Sequence, residues 1–289
     1  MSVVAAAGPP LARVRSRALS KFRRNRAGLI GAAIVLFFIL AALLAPLVAP
    51  YDPLQSNFTA VRQAPSAAHW LGTDELGRDI LSRLLHGARA SLMAGVVSVT
   101  IAVLVGVPFG LAAGYFGGWT DTAVSRATEA LLAIPFLILA IALAAFLGPS
   151  LTNAMIAIGL SATPIFIRLT RGQVLSVKVE DYVEGARAIG LPDRWIILRY
   201  VLPNIIPPII VQATLTIATA IIAEASLSFL GLGQRPPDPS WGSMLDTAKN
   251  FMAQAPWMSI FPGTAIFLVV LGFNLLGDGL RDALDPREL

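Results

Sequence analysis

Long stretches without a charged residue constrain the fold of this chain more than any other feature. They are residues 27–50, 90–120, 130–167, 200–223 and 250–277. About 20 apolar residues are enough for a helix to cross the hydrocarbon of a bilayer. Only 13% of the residues are charged, against about a quarter in a typical soluble domain. The sequence therefore predicts an all-α membrane protein and disfavours a soluble fold with buried core helices.

The stretch 130–167 is long enough for two crossings, and a turn-forming cluster at 148–153 lies near its middle. We therefore expect six transmembrane helices, at about 28–48, 91–114, 124–147, 152–170, 205–226 and 258–278. The expected organisation is a basic N-terminal segment 1–27, a first transmembrane helix 28–50, an external segment 51–89, a transmembrane domain 90–281 containing a loop 171–204, and a tail 282–289.

The charges before the first helix predict the orientation of the chain. They are all basic: Arg13, Arg15, Arg17, Lys21, Arg23, Arg24 and Arg26. Basic residues flanking membrane helices stay on the cytoplasmic side. We therefore interpret these residues as a signal for membrane orientation rather than as an arm that binds nucleic acid. With six crossings, both termini and the loop 171–204 are predicted to be cytoplasmic. The high isoelectric point then reflects topology and contact with anionic lipid.

The external segment is expected to end in an amphipathic helix at the outer membrane interface. Thr73, Asp74 and Glu75 offer a helix start, and apolar residues follow at helical spacing: Leu76, Ile80, Leu81, Leu84 and Leu85. We interpret this helix as an interfacial anchor leading into the second transmembrane helix, with gating or receptor contact as the alternative.

Three glycines at four-residue spacing, Gly106, Gly110 and Gly114, lie in the second predicted membrane helix. Small residues at this spacing allow close helix approach in lipid. They predict a tight packing face, either within the chain or with another subunit.

Glu224 is an acid inside the fifth predicted transmembrane helix, near its outer end. Intramembrane carboxylates are candidate functional groups. Two readings stay open: a pathway contact to a peptide amine, or a structural hydrogen bond or salt bridge to the external loop.

The loop 171–204 is predicted to carry a short surface helix. Ser176 or Asp181 is placed to cap it, and small apolar residues recur three apart at Val183, Ala186 and Ile189. Gly190 would end the helix, and Pro192 prevents its continuation. Such a helix suits the groove of a partner protein, although a solvated connector fits these residues equally well.

A resemblance favours the docking alternative. The series Glu184-Gly185-Ala186, Gly190 and Leu202-Pro203 resembles the EAA loop of ABC importer permeases, E-A-A-x3-G-x9-I-x-L-P. Gly185 stands for the second alanine of that pattern and Tyr200 for its isoleucine. The likeness implies that Glu184 and Arg187 make polar contacts with an ATPase, and that Gly185, Ala186, Ile189 and Gly190 provide the fit.

Further matches extend over roughly residues 20–288 and are similar to the C-type permease subunit of the dipeptide, oligopeptide and nickel ABC importers. They are Ala45 to Pro53, His69 to Asp79, Gly114 to Trp119, Ala223 to Gly233 and Gly277 to Pro286. This family implies the type I importer fold with a cytoplasmic coupling helix. It also implies a B-type permease partner, two ATP-binding subunits and an extracytoplasmic peptide-binding protein.

Some kinds of site are not expected in this chain. It lacks the G-x-x-x-x-G-K-[ST] pattern that cradles ATP phosphates, so ATP and magnesium would bind to partner subunits. It has no cysteine, and its two histidines, His69 and His86, suggest no metal site. We expect a non-enzymatic transport subunit without its own cofactor. The rival classes are a proton-coupled secondary transporter and a purely structural membrane subunit; the cargo stays open among dipeptide, oligopeptide, nickel chelate, glutathione and heme.

Overall fold

Helices form nearly all the regular structure in the computed structural model, which describes residues 20–284. The long helices are α1 (Arg26–Val48), α2 (Ile80–Phe116), α5 (Leu151–Val177), α8 (Leu202–Phe229) and α10 (Trp257–Leu284). The shorter ones are α3 (Gly118–Leu132), α4 (Phe136–Leu147), α6 (Asp181–Ala188), α7 (Asp193–Ile196) and α9 (Trp241–Ala248). Most of the predicted basic segment and the end of the predicted tail lie outside the described residues.

Five helices are long and apolar enough to cross a membrane, and α3 with α4 forms a sixth candidate bent by 91°. The predicted helix at 124–147 is present but is divided in two at Pro135. Pro135 has no backbone N–H, and the residue before a proline avoids helical geometry, so the helix stops before Ile134 and restarts at Phe136. Alone, the 12 residues of α4 extend only about 18 Å, less than the hydrocarbon thickness.

The amphipathic helix expected from Thr73 starts later than predicted. The helix begins only at Ile80 and continues to Phe116 without a break, with Asp79 as its N-cap. Before it, the Asp74 carboxylate accepts hydrogen bonds from the backbone N–H groups of Leu76 and Arg78, both at 2.9 Å. Local bonds of this kind compete with helix formation, and they hold residues 74–78 in a turn.

Buried charges tie this turn to the rest of the external segment. Arg78 donates to Asp74 at 2.7 Å and to Glu75 at 2.6 Å, and Arg83 lies 3.4 Å from Asp74. Arg83 also donates to the carbonyl of Pro53 at 2.9 Å. Burial, followed by the nearby Asp74 carboxylate, raises the pKa of Glu75, whose Oε2 is buried without a hydrogen-bond partner among the described residues.

The three glycines of α2 pack against α5 of the same chain. A Cβ atom on Gly106 would lie 2.6 Å from Phe166 Cβ, one on Gly110 2.6 Å from Thr170 Cβ, and one on Gly114 2.8 Å from Val174 Cβ. Only hydrogen side chains allow the two backbones to come this close. We call this contact the glycine seam.

A second close contact, between α1 and α10, was not predicted. A Cβ on Gly31 would lie 2.7 Å from the carbonyl oxygen of Gly272, and one on Gly28 would lie 3.0 Å from Gly279 Cα. These glycines are too widely separated along the chain for local spacing to pair them. This second contact fastens α1 to α10.

Candidate functional site

The predicted surface helix of the loop 171–204 is α6, which runs from Asp181 to Ala188. Its N-cap is Glu180, which makes no side-chain capping bond, so the expected caps at Ser176 and Asp181 are wrong. Acids occupy the first turn, Asp181 and Glu184, and Arg187 occupies the last. This arrangement stabilises a short helix through its dipole.

One face of α6 packs onto its own chain. Val183 is fully buried and Ala186 nearly so, in a core cluster that includes Ile196 and Val201. The Ala186 side chain thus packs against its own chain, and its fit to a partner stays a prediction.

The opposite face is open. It presents Glu184, Gly185, Arg187, Ile189 and Gly190, and the side chain of Ile189 is 77% exposed. Charged side chains and an exposed aliphatic side chain are thus presented together on the open side of α6 and at its C-terminal end. A Cβ on Gly185 would meet no atom within 4 Å, so nothing in this chain requires glycine there.

Gly190 ends the helix in the way that the sequence predicts. Its φ is +77°, and its N–H donates to the carbonyl of Arg187 at 3.0 Å while Leu191 N–H donates to that of Ala186 at 3.2 Å. A left-handed glycine with these bonds satisfies the last carbonyls of a helix. The space around Gly190 is open, so its requirement for glycine is conformational.

Two side-chain hydrogen bonds anchor the loop to the end of α2. Lys178 Nζ donates to the carbonyl oxygen of Gly114 at 2.8 Å, before α6 begins. After α6, the Tyr115 hydroxyl donates to Asp193 Oδ1 at 2.6 Å. The guanidinium of Arg187 lies 5.8 Å from the centre of the Tyr115 ring, within the range of a cation–π contact. Sequence reasoning missed these bonds, since no local signal links residues so distant along the chain.

Glu224 lies in a closed polar cluster. Its side chain is fully buried, and its two oxygens accept hydrogen bonds from Ser91 at 3.1 Å and Ser228 at 2.7 Å. Ser240, the N-cap of α9, lies 3.5 Å from the Ser228 hydroxyl. This geometry supports the structural hydrogen-bond reading, and the pathway contact has no support because the carboxylate reaches no open surface.

Metal-ligand geometry is absent from the part of the chain that the structure describes: no three His, Cys, Asp or Glu side chains are grouped to hold an ion. His69 Nδ1 lies 3.0 Å from Asp79 Oδ1, and His86 Nδ1 lies 2.9 Å from the carbonyl of Ser82. Both histidines thus have structural partners in the external segment.

Two protein families match this sequence. The family described as binding-protein-dependent transport system inner membrane component matches residues 106–289. The N-terminal transmembrane domain of oligopeptide transport permease C matches residues 15–65. The first match contains the glycine seam, α6, and Glu224 with Ser228 and Ser240, whereas Ser91 lies before it.

Curated relatives match over nearly their whole length. The dipeptide transport system permease protein DppC of Alkalihalophilus pseudofirmus is 48% identical over 270 residues, 93% of this chain and 89% of the relative. The glutathione transport system permease protein GsiD of Pectobacterium atrosepticum is 45% identical over 268 residues, 92% of this chain and 89% of the relative.

The fold is also found among solved structures. A chain of the inward-facing MetNI methionine ABC transporter superposes with a TM-score of 0.57, covering 70% of this chain and 96% of that chain. The two sequences are 22% identical, so this likeness speaks for the fold alone. It confirms the predicted all-helical permease architecture.

Proposed function

Since this chain belongs to the family of binding-protein-dependent transport system inner membrane components, we propose that it carries short peptides across the membrane. The chain is a multi-pass inner-membrane permease subunit of an ABC importer. ATP hydrolysis takes place on partner subunits, and a binding protein delivers the cargo. The permease therefore supplies the translocation pathway and the mechanical connection between that pathway and the ATP-hydrolysing subunits.

The subunit composition that we propose is the one the resemblance implies: a second, B-type permease, two ATP-binding subunits and an extracytoplasmic peptide-binding protein. Both termini and the loop 171–204 lie in the cytoplasm. The basic residues before α1 support this orientation, and it places α6 where an ATPase can reach it.

In this proposal α6 is the coupling helix, and its open face docks into the ATPase. Glu184 and Arg187 supply charged contacts, Ile189 fills an apolar pocket, and Gly185 and Gly190 allow close approach. The two anchors, Lys178 to Gly114 and Tyr115 to Asp193, support the transmission of its movement. A displacement of α6 is then carried into α2, and through the glycine seam into α5.

We propose dipeptides as the cargo because this chain is 48% identical to a dipeptide permease over 93% of its length. Glutathione, itself a tripeptide, is the second candidate because a glutathione permease is almost as similar. The test is uptake of labelled dipeptide and of labelled glutathione by host cells that lack this chain, with and without complementation. We expect dipeptide uptake to depend on the chain; if neither uptake changes, the cargo proposal is wrong.

The coupling role has a separate test in the assembled importer. Glu184→Lys reverses a charge on the docking face, and loss of a desolvated charge pair costs about 2–5 kcal/mol. We expect ATPase binding to weaken by at least about 30-fold and peptide-stimulated hydrolysis to be lost. Glu129→Lys is the matched control, because Glu129 is an exposed acid of α3 that, among residues 20–284, forms an ion pair only with exposed Arg126. Unchanged peptide-stimulated hydrolysis in the Glu184 variant would refute the coupling role.

A further inference from the structure

Two arginines lie on one side of the segment that leads from the loop into α8. The helix α7 continues as a π-helical turn over Ile197–Val201, in which Leu202 N–H donates to the carbonyl of Ile197. A π-turn is wider than an α-turn and brings residues five apart closer to one face. Arg194 and Arg199 both line the same open groove, which has a volume of about 820 Å³.

Neither arginine has an acidic partner among residues 20–284. The ion pairs of the described chain involve other side chains, and neither the Arg194 nor the Arg199 side chain makes a hydrogen bond or ring contact there. Both side chains are exposed. The groove therefore carries two positive charges that no acidic side chain of residues 20–284 neutralises.

An apolar stripe runs from these charges along the membrane helix. Trp195 is 51% exposed and Leu198 62%, and Ile206 and Ile210 continue the exposed surface on α8 at helical spacing. The helical segment runs without a break from Asp193 to Phe229 and contains an apolar window of 18 residues. The charged groove thus lies at the end of an apolar surface that enters the bilayer.

We propose that this groove binds an anionic phospholipid of the cytoplasmic leaflet. The phosphate lies between the guanidinium groups of Arg194 and Arg199, which pair well with phosphate oxygens. The acyl chains follow Leu198, Ile206 and Ile210, and the Trp195 ring lies at headgroup depth. Basic pockets beside membrane helices on the cytoplasmic side bind such headgroups.

The charged groove is continuous with the exposed apolar surface, and this favours a lipid over the ATPase as its occupant. An ATPase in the cytoplasm reaches only the charged end of the surface, whereas a phospholipid covers both the charges and the adjoining apolar stripe. The inference rests on the proposed orientation of the chain but not on its cargo. Lipid binding and peptide uptake are separate measurements, so either proposal can fail alone.

The experiment is native mass spectrometry of the importer complex, titrated with phosphatidylglycerol and, separately, with phosphatidylcholine. A basic residue near an anionic surface contributes about fivefold in affinity. We expect Arg194→Gln and Arg199→Gln each to weaken phosphatidylglycerol binding about fivefold, and the double variant about 30-fold. Phosphatidylcholine binding should change little. The control is Arg126→Gln, an arginine whose side chain is 80% exposed.

Three outcomes would overturn the proposal. One is phosphatidylglycerol binding that the double variant leaves unchanged. Another is an equal loss in the Arg126 control, which would indicate a general charge effect. The third is loss of ATPase subunits from the complex with lipid binding intact, which would make the groove an ATPase contact. Leu198→Ser gives an independent check, because it should weaken lipid binding without changing the charge.

Discussion

Replacing Gly110 with alanine tests how tightly the glycine seam holds α2 against α5. The added Cβ would lie 2.6 Å from Thr170 Cβ and 2.7 Å from the carbonyl oxygen of Ile167. Both neighbours belong to the core of α5, one a backbone atom and the other a Cβ, so rotating a side chain does not relieve either contact.

The size of the effect follows from how far the helices must separate. Ordinary van der Waals contact begins at 3.4 Å, so α2 and α5 must move apart locally by about 0.8 Å. A gap of about 0.5–1 Å forfeits a quarter to a half of the dispersion energy of the atoms that line it. Overpacking of this kind costs about 1–3 kcal/mol, and alanine returns up to about 1 kcal/mol through helix propensity. We expect a net loss of about 1–2 kcal/mol.

The measurement is reversible unfolding of the purified chain in mixed micelles, followed by tryptophan fluorescence. Gly172→Ala is the matched control, since Gly172 lies in α5 and a Cβ there meets no atom within 4 Å. That variant should be as stable as the parent chain or up to about 1 kcal/mol more stable. If Gly110→Ala is as stable as the Gly172 variant, the seam is looser than the structure indicates and the argument fails.

Three further substitutions test individual groups. Thr170→Val should stabilise the chain by about 1 kcal/mol, because it replaces a buried hydroxyl that has no hydrogen-bond partner among the described residues; unfolding in mixed micelles measures this. Tyr115→Phe should cost about 1–2 kcal/mol through the lost bond to Asp193, and a double-mutant cycle with Asp193→Ala checks that the loss belongs to this pair. Burial and Asp74 raise the pKa of Glu75, so its contribution to stability is present at acid pH and is lost as the pH rises through that raised value. Glu75→Gln should remove this pH dependence, and a melting series from acid to neutral pH decides it.

The apolar runs predict where membrane helices exist, because backbone groups in lipid can be satisfied only within a helix. They do not predict where a helix breaks. The bend between α3 and α4 depends on Pro135 at a position where the run itself stays apolar. The turn at Asp74 depends on a carboxylate bonding to its own backbone, which outweighs the helical spacing of the residues after it.

The candidate site also combines features that the local sequence predicts with features that depend on packing. The C-terminal end of α6 follows from local chemistry, since Gly190 and Pro192 stop the helix wherever it packs. The direction of its apolar face does not. Val183 and Ala186 have the same spacing whether they face a partner or their own core. Only the position of α7 and of the turn Ile197–Val201 determines that they face inward. For Glu224, the sequence identifies an unusual residue but not the serines that enclose it.

The end of α2 takes part both in the glycine seam and in the hydrogen bonds that hold the proposed coupling helix. Gly114 closes the glycine seam through its missing side chain and also accepts the Lys178 hydrogen bond through its carbonyl. Tyr115, the next residue, holds the far side of the loop through Asp193. A flexible loop would absorb a push on α6 before it reached the membrane. Here the loop is hydrogen-bonded to the end of α2 on both sides of α6. The glycines of α2 in turn bring its backbone close to α5. A movement imposed at α6 is therefore expected to displace α2 and α5 together.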